Sequence, residues 1–466
     1  MEISANTQAI AYLISAILFI LAIKGLTHPA SARRGNYLGM TGMGIAIIST
    51  LLGNEVESYS FILVGVIVGA LIGIVLASRV QMTAIPQLVA ALHSFVGMAA
   101  VLVAIGTYLN HDAAGTLNTV MMGELSVGII IGAITFSGSV VAFAKLQGLI
   151  SGVPVKFKGQ HVLNAAIAVA TLAFGFHFGM TESMTSLILM MLLGFILGFT
   201  LIIPIGGADM PVIISMLNSY SGWAAVATGF ILGNLLLIIV GALVGFSGAI
   251  LSFIMCRAMS RSIINVIFGG FGSDAGGEAS AVGQAAEKGV KSASVDDAIY
   301  WMEDANKVII VPGYGMAVAQ AQHALKEMME LLEARDVTVM FGIHPVAGRM
   351  PGHMNVLLAE ADIPYDHVME MDDVNSEFYT ADVTLVVGAN DVVNPAAKSD
   401  SSTPIYGMPI LDAAKSRLVY FLKRSMNPGY SGVDNLLFYQ DNTSLIFGDA
   451  KDTIEGMVSA LKGGGH

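Results

Sequence analysis

Charge is scarce in this chain. Only 12% of its 466 residues are Asp, Glu, Lys or Arg, against about 25% in an ordinary soluble domain. The balance has the wrong sign for nucleic acid: 22 Lys and Arg against 34 Asp and Glu leave a net charge of −12. No basic run offers a patch that could track a phosphate backbone. Cysteine is nearly absent. The single Cys256 excludes an intrachain disulfide and any all-cysteine metal site, and no metal centre is expected. Basic residues are also missing at the start. The residues before Ile10 include Glu2 but no Lys or Arg, so the apolar run 9–23 reads as a retained membrane helix rather than a secretory signal.

What is plentiful points to a bilayer. Hydrophobic residues make up 55% of the chain, with 52 Gly and 27 Met. Glycine at this level suits transmembrane helices whose backbones approach closely, and the methionines read as packing. Charges stay sparse up to Met255 and become frequent from Arg257 onward. Before that change lie nine apolar runs, at 8–25, 37–53, 60–78, 86–108, 124–146, 161–179, 185–203, 211–231 and 235–256. Each is close to the ~20 residues that a bilayer crossing needs. Alternate connections carry the cations: Lys24, Arg33 and Arg34, then Arg79, then Lys145, Lys156 and Lys158, then Arg257 and Arg261. The others carry Glu55 and Glu57, Asp112 and Glu124, and Glu182. By the positive-inside rule the N-terminus is outside and the C-terminal part cytosolic. Residues 1–262 form a membrane domain on this reading, and 263–300, rich in Gly, Ala and Ser, a mobile linker.

From 301 the pattern becomes that of a soluble α/β domain. Strands are predicted at 307–311, 337–342, 367–371, 382–388, 417–422 and 444–448, with helices at 316–334 and about 450–462. Alternating strands and helices imply a doubly wound, mostly parallel, Rossmann-like sheet. The first strand runs into Gly313-Tyr314-Gly315-Met316-Ala317-Val318, a dinucleotide fingerprint with Val318 where the third Gly usually stands. Gly313 permits the turn, and Gly315 lets a phosphate approach the backbone. The second strand ends in Gly342-Ile343-His344, without the carboxylate that holds the ribose 2′-OH in NAD-specific sites. A 2′-phosphate would instead want cations. Arg349, Lys423 and Arg424 are candidates, and Lys423-Arg424-Ser425 follows directly on a strand. Gly388-Ala389-Asn390-Asp391 is a further strand-to-loop junction, where Asp391 either binds a ligand hydroxyl or caps a turn.

Inside the apolar part, ionisable and amide groups are expensive and therefore mark function. His93 and Asn218 each lie seven residues past a proline, Pro86 and Pro211. That sets both roughly 10 Å along their helices, the shared depth that a wet His–Asn site requires; on periodicity alone His93 reads equally as a proton relay or as a packed, hydrogen-bonded residue. Asp209 lies just before the Asn218 helix, either as a helix-start carboxylate favoured by the macrodipole or as a contact for the C-terminal domain. Glu124, at an outer boundary, reads either as a solvated residue or as part of a proton entrance, and His161 and Asn164 receive no role.

Several runs resemble the beta subunit of proton-translocating NAD(P) transhydrogenase: ALHSFVGMAAVLV, IGGADMPVIISMLNSYSGWAA, PGYGMAVAQAQ, FGIHPVAGRMPGHMNVLLAEA, VVGANDVVNPAA and KRSMNPGYSGV. They extend over almost the whole chain. The resemblance implies hydride exchange between NAD(H) and NADP(H) coupled to proton movement in a bacterial inner membrane, through His93, Asn218 and Asp209. NADP(H) would bind on this chain and NAD(H) on an alpha subunit, within a dimer of heteromers. It further implies a reversed dinucleotide, with the 2′-phosphate beside Lys423, Arg424 and Ser425. Asp391 would lie near the nicotinamide, and Tyr430 would close over the nucleotide. His344 and Arg349 belong to a matching motif without individual roles. A channel or solute transporter with a nucleotide-sensing domain would share this layout without needing an NAD(H)-binding partner. A quinone-reducing dehydrogenase would need a flavin or other one-electron relay, for which no motif is present.

Overall fold

The computed structural model describes every residue except 1–3, 54, 55, 57, 152, 153, 156, 207, 208, 260, 268–288, 351, 404, 428, 430 and 464–466, and the side chains of 29 and 30. Two compact units emerge.

The first comprises Met1–Ser151, Val155–Pro204 and Met216–Ile250. Its long helices are α1 (Ala5–Leu26), α2 (Pro29–Leu51), α3 (Tyr59–Arg79), α4 (Ile85–Ala114), α5 (Thr119–Leu146), α6 (Gln160–Thr181) and α7 (Met184–Ile202), with most of α8 (Met210–Ile231) and α9 (Leu235–Ala258). Each predicted apolar run coincides with one of them, although 37–53 runs two residues past the end of α2 and 185–203 one residue past the end of α7. Seven are long and apolar enough to cross a membrane. The exceptions are α2, with Arg33, Arg34 and Asn36, and α8, with Asn218 among several serines. The helix ends follow local chemistry. Pro86 occupies the first turn of α4, where a missing N–H costs nothing, and Gly115 closes that helix at φ 66°. Asn118 caps α5 through Met121 N. That cap starts α5 five residues before the predicted 124, so Glu124 stands within the helix rather than at its boundary.

The glycines act where helices cross. A Cβ on Gly97 of α4 would lie 2.6 Å from Gly132 O of α5, and one on Gly132 would lie 2.7 Å from Gly97 O. Gly222 of α8 meets Gly245 of α9 in the same way, with a Cβ 2.6 Å from Gly245 Cα. Lipid is as apolar as leucine, so such close backbone packing replaces the hydrophobic effect as the attraction between helices.

The second unit comprises Gly152–Pro154, Ile205–Ser215 and Leu251–His466. It is dominated by a six-stranded sheet: β1 (Lys307–Pro312), β2 (Thr338–Ile343), β3 (Val368–Glu370), β4 (Val383–Val387), β5 (Leu418–Lys423) and β6 (Thr443–Phe447). The order is β3-β2-β1-β4-β5-β6, and every pairing is parallel. All five residues of β4 and the last five of β1 are buried, the continuous apolar pattern of strands covered on both faces.

Two expectations need correcting. The helix predicted at 316–334 is two helices, Tyr314–Ala319 and Gln322–Glu333, separated by Gln320 in the left-handed region at φ 55°. Its period misleads because Ala321, Leu325, Met328, Met329 and Leu332 all remain buried across the break. The linker predicted to 300 also ends early. Ala293 donates to Leu445 O, Leu445 donates to Lys291 O, and Ser294 with Asp297 forms a capping box for the helix Val295–Glu303. Residues 291–303 thus belong to the sheet domain. Most of the Gly-rich linker, 268–288, lies outside the described residues.

Candidate functional site

Ligands of open parallel sheets bind beyond the carboxyl ends of the strands, where the strand order reverses. Here that point lies between β1 and β4. The two turns leaving these strands are in backbone contact: Gly315 N donates to Gly388 O, and a Cβ on Gly315 would lie 2.7 Å from Gly388 Cα. Gly388 itself has φ 69°. Gly315 is therefore required by Gly388 as well as by any approaching phosphate.

A cavity of about 410 Å³ opens over these turns. Of the predicted nucleotide residues it is lined by Gly313, Tyr314, Gly315, Gly388, Ala389, Asn390, Asp391, Lys423, Arg424 and Ser425. Met316, Ala317, Val318, His344 and Arg349 do not line it. Met316 and Ala317 are buried in the core. Both ring nitrogens of His344 are engaged within the protein: Nε2 with Pro409 O at 2.8 Å, and Nδ1 as acceptor from Val346 N at 3.2 Å. Arg349 lays its guanidinium 4.2 Å from the Tyr314 ring centre, a cation–π contact. Tyr430 lies outside the described residues.

Sequence reading missed Ala347, Gly348, Ser431, Gly448 and Ala450, which also line the cavity. Gly348 and Gly448 follow β2 and β6, so the carboxyl-edge rule applied to every strand would have found both.

Polar bonds tie the 425–435 segment to the turn after β4. Asp391 accepts from Ser431 Oγ at 2.7 Å and from Ser431 N at 3.0 Å. Asn435 Nδ2 donates to Asn390 Oδ1 at 2.9 Å. Burial pushes the Asp391 carboxyl up; the Ser431 bonds oppose that, followed by the charges of Lys423 and Arg261. Lys423 Nζ donates to Asn427 O at 2.8 Å and stands 4.5 Å from the Phe438 ring centre. Burial lowers its pKa, against the pull of Asp434 and Asp391. Arg424 and Ser425 are exposed. This set fits a dinucleotide phosphate. Gly313 and Gly315 leave backbone within reach at the turn, and Arg424 presents the fork that recognises phosphate bidentately. Arg261, which also lines the cavity, makes a two-pronged ion pair with Asp209, both distances 2.9 Å.

In the first unit His93 is buried, its Nδ1 3.0 Å from Ser221 Oγ. Its Nε2 is buried with no partner among the described residues. The side chain of α8 that His93 meets directly is Ser221. Asn218 is half-buried, and its side chain makes no hydrogen bond among the described residues. Ser221 is three residues further along α8, roughly 4.5 Å by the helical rise, on the same face. Ser139 Oγ of α5 is another buried polar atom without a partner among the described residues.

Comparison with known proteins agrees over nearly the full length. A family model described as NAD(P) transhydrogenase beta subunit matches residues 8–460. The NAD(P) transhydrogenase subunit beta of Rhodospirillum rubrum is 60% identical over 456 residues, covering 97% of this chain and 98% of that one. The protein of one designated strain of the same species gives the same values.

Proposed function

Because this chain belongs to the NAD(P) transhydrogenase beta subunit family, and is thus a membrane subunit of a proton-translocating transhydrogenase that works with an alpha subunit, we propose that its sheet domain holds NADP(H) while NAD(H) binds to the alpha subunit. The observation that carries this is the end of β2. Where an NAD site needs a carboxylate, the chain has His344, turned inward onto Pro409 and Val346. The cations stand at the end of β5 instead. A dinucleotide whose adenosine half lies over β5 meets Arg424, Lys423 and Ser425 with its 2′-phosphate, which supports the reversed orientation. Its pyrophosphate then crosses Gly313–Gly315, and its nicotinamide approaches Asp391.

The nicotinamide supplies the hydride chemistry, so no side chain here needs to act as acid or base on it. What the residues do is hold and move protons elsewhere. The His93 ring, hydrogen-bonded on one side and buried without a partner on the other, is suited to take a proton and release it, with Ser221 and Asn218 on the neighbouring helix as relay and water-holding groups. Asp209 and Arg261 couple that event to the cavity. A proton that weakens their pairing leaves Arg261 free to face Asp391 and the nucleotide. One charge moving through 100 mV is worth about 2.3 kcal/mol, enough to shift a modest conformational equilibrium. Residues 1–262 form the proton-translocating body. The loop charges support an outer N-terminus and a cytosolic sheet domain in a bacterial inner membrane, and a dimer of heteromers is the working assembly.

The test is co-reconstitution with the alpha subunit in vesicles, following NAD(P)(H) exchange and internal pH together. Exchange should drive a pH change, and His93→Ala should abolish that change while NADPH still binds. Undiminished pumping by the variant would remove His93 from the pathway.

A further inference from the structure

His353 has no part in the site described above, yet it is fully buried at the start of the helix His353–Glu360. Its Nδ1 accepts the backbone N–H of Arg349 at 3.0 Å. A nitrogen that accepts must be bare, so the ring is the neutral Nε2–H tautomer. Gly348 packs directly against this ring: at φ 103°, a Cβ there would lie 2.7 Å from His353 Nδ1. The Tyr314 ring stands 6.2 Å from the imidazole, centre to centre, and carries the Arg349 guanidinium. Gly348 and Tyr314 both line the cavity. One imidazole therefore underlies the Gly348–Arg349 turn and one side of Tyr314.

We propose that His353 is a positioning residue for the dinucleotide, holding the Gly348–Arg349 turn through its Nδ1 so that Gly348 and the Tyr314 ring, braced from behind by Arg349, form one fixed wall of the cavity. The inference rests on the reading of this cavity as the NADP(H) site. A buried imidazole that only filled space would be replaceable by any side chain of similar bulk. One that positions the turn is replaceable only by another acceptor at the same place. Asparagine provides one, since its Oδ1 can stand near the position of Nδ1, and leucine does not.

The test uses the full-length chain in complex with its alpha subunit, measuring NADPH affinity by fluorescence titration together with kcat and KM. His353→Leu should weaken NADPH binding by about tenfold, the value of one hydrogen bond left unmade. KM for NADPH should rise while kcat changes little. His353→Asn should bind within about threefold of the parent, a difference under 1 kcal/mol. Parental affinity in His353→Leu would overturn the proposal, as would an asparagine variant as weak as the leucine one. If the leucine variant does not accumulate, a loss of about tenfold or more in His353→Asn alone contradicts it. A parent complex that binds no NADPH would instead bring down the reading of the cavity itself, and the proposal with it.

Discussion

Arg424 and Lys423 are neighbours with different commitments. Lys423 is half-buried, bonded to Asn427 O and set against Phe438. Arg424 is exposed and makes no hydrogen bond or ion pair among the described residues. A planar guanidinium meeting a phosphate is a charge-assisted pair, worth roughly 1.5–3 kcal/mol when intact. Arg424→Ala should therefore weaken NADPH about ten- to hundredfold and leave any weak NADH binding unchanged, as read by equilibrium titration with both nucleotides. In the membrane unit the hydrogen bond of His93 goes to Ser221 rather than to Asn218. Ser221→Ala should then slow proton translocation in vesicles more than Asn218→Ala does; the reverse order would assign the relay to the amide.

At the scale of elements, glycine contacts set how closely helices pack. Gly97 and Gly132 bring α4 and α5 into backbone contact, and α4 carries His93. Gly132→Leu inserts four carbons where one would already clash. Overpacking costs about 1–3 kcal/mol, so the melting temperature of the detergent-solubilised complex should fall. An unchanged melt would mean that the helices are not held at this crossing. These elements were largely legible in the sequence. Apolar runs locate most of α1–α9 and of β1, β4 and β5, because a helix facing lipid and a strand covered on both faces each leave few polar residues to break the pattern. What was not legible depends on tertiary contact. Nothing in the 316–334 periodicity marks Gln320 as left-handed, since both short helices bury the same face. The 291–303 segment reads as linker because its anchoring is through backbone bonds to Leu445, which composition does not record. At the site, Gly313–Gly315, Gly388–Asp391 and Lys423–Ser425 line the cavity, whereas Met316, Ala317, Val318, His344 and Arg349, from the same motifs and strand ends, do not. Motif membership marks a neighbourhood, and only geometry separates the ligand contacts from their supports.

At the scale of the whole molecule, the sheet domain should be sensitive to acid. His344 and His353 are both buried and bonded as acceptors, and burial holds each at about 4, well below the ordinary 6.5; Arg349 adds to the lowering at His353. The unfolded chain would take up these protons at higher pH than the folded one. Their contribution to stability is thus fully present above about 6.5 and is lost as pH falls toward about 4, with a slope of up to roughly two protons. Thermal melts of the complex between pH 7 and 4 should show this loss, and it should be shallower in His353→Asn, which has nothing to protonate there. The central claim is that the cavity over Gly313 and Gly388 selects a dinucleotide by its extra phosphate at the end of β5. The most direct measurement is the affinity of the purified full-length chain for NADPH and for NADH under identical conditions. NADPH tighter by about a hundredfold or more, a gap of roughly 2.7 kcal/mol, is the predicted result; equal affinities, or no binding of either, would contradict it.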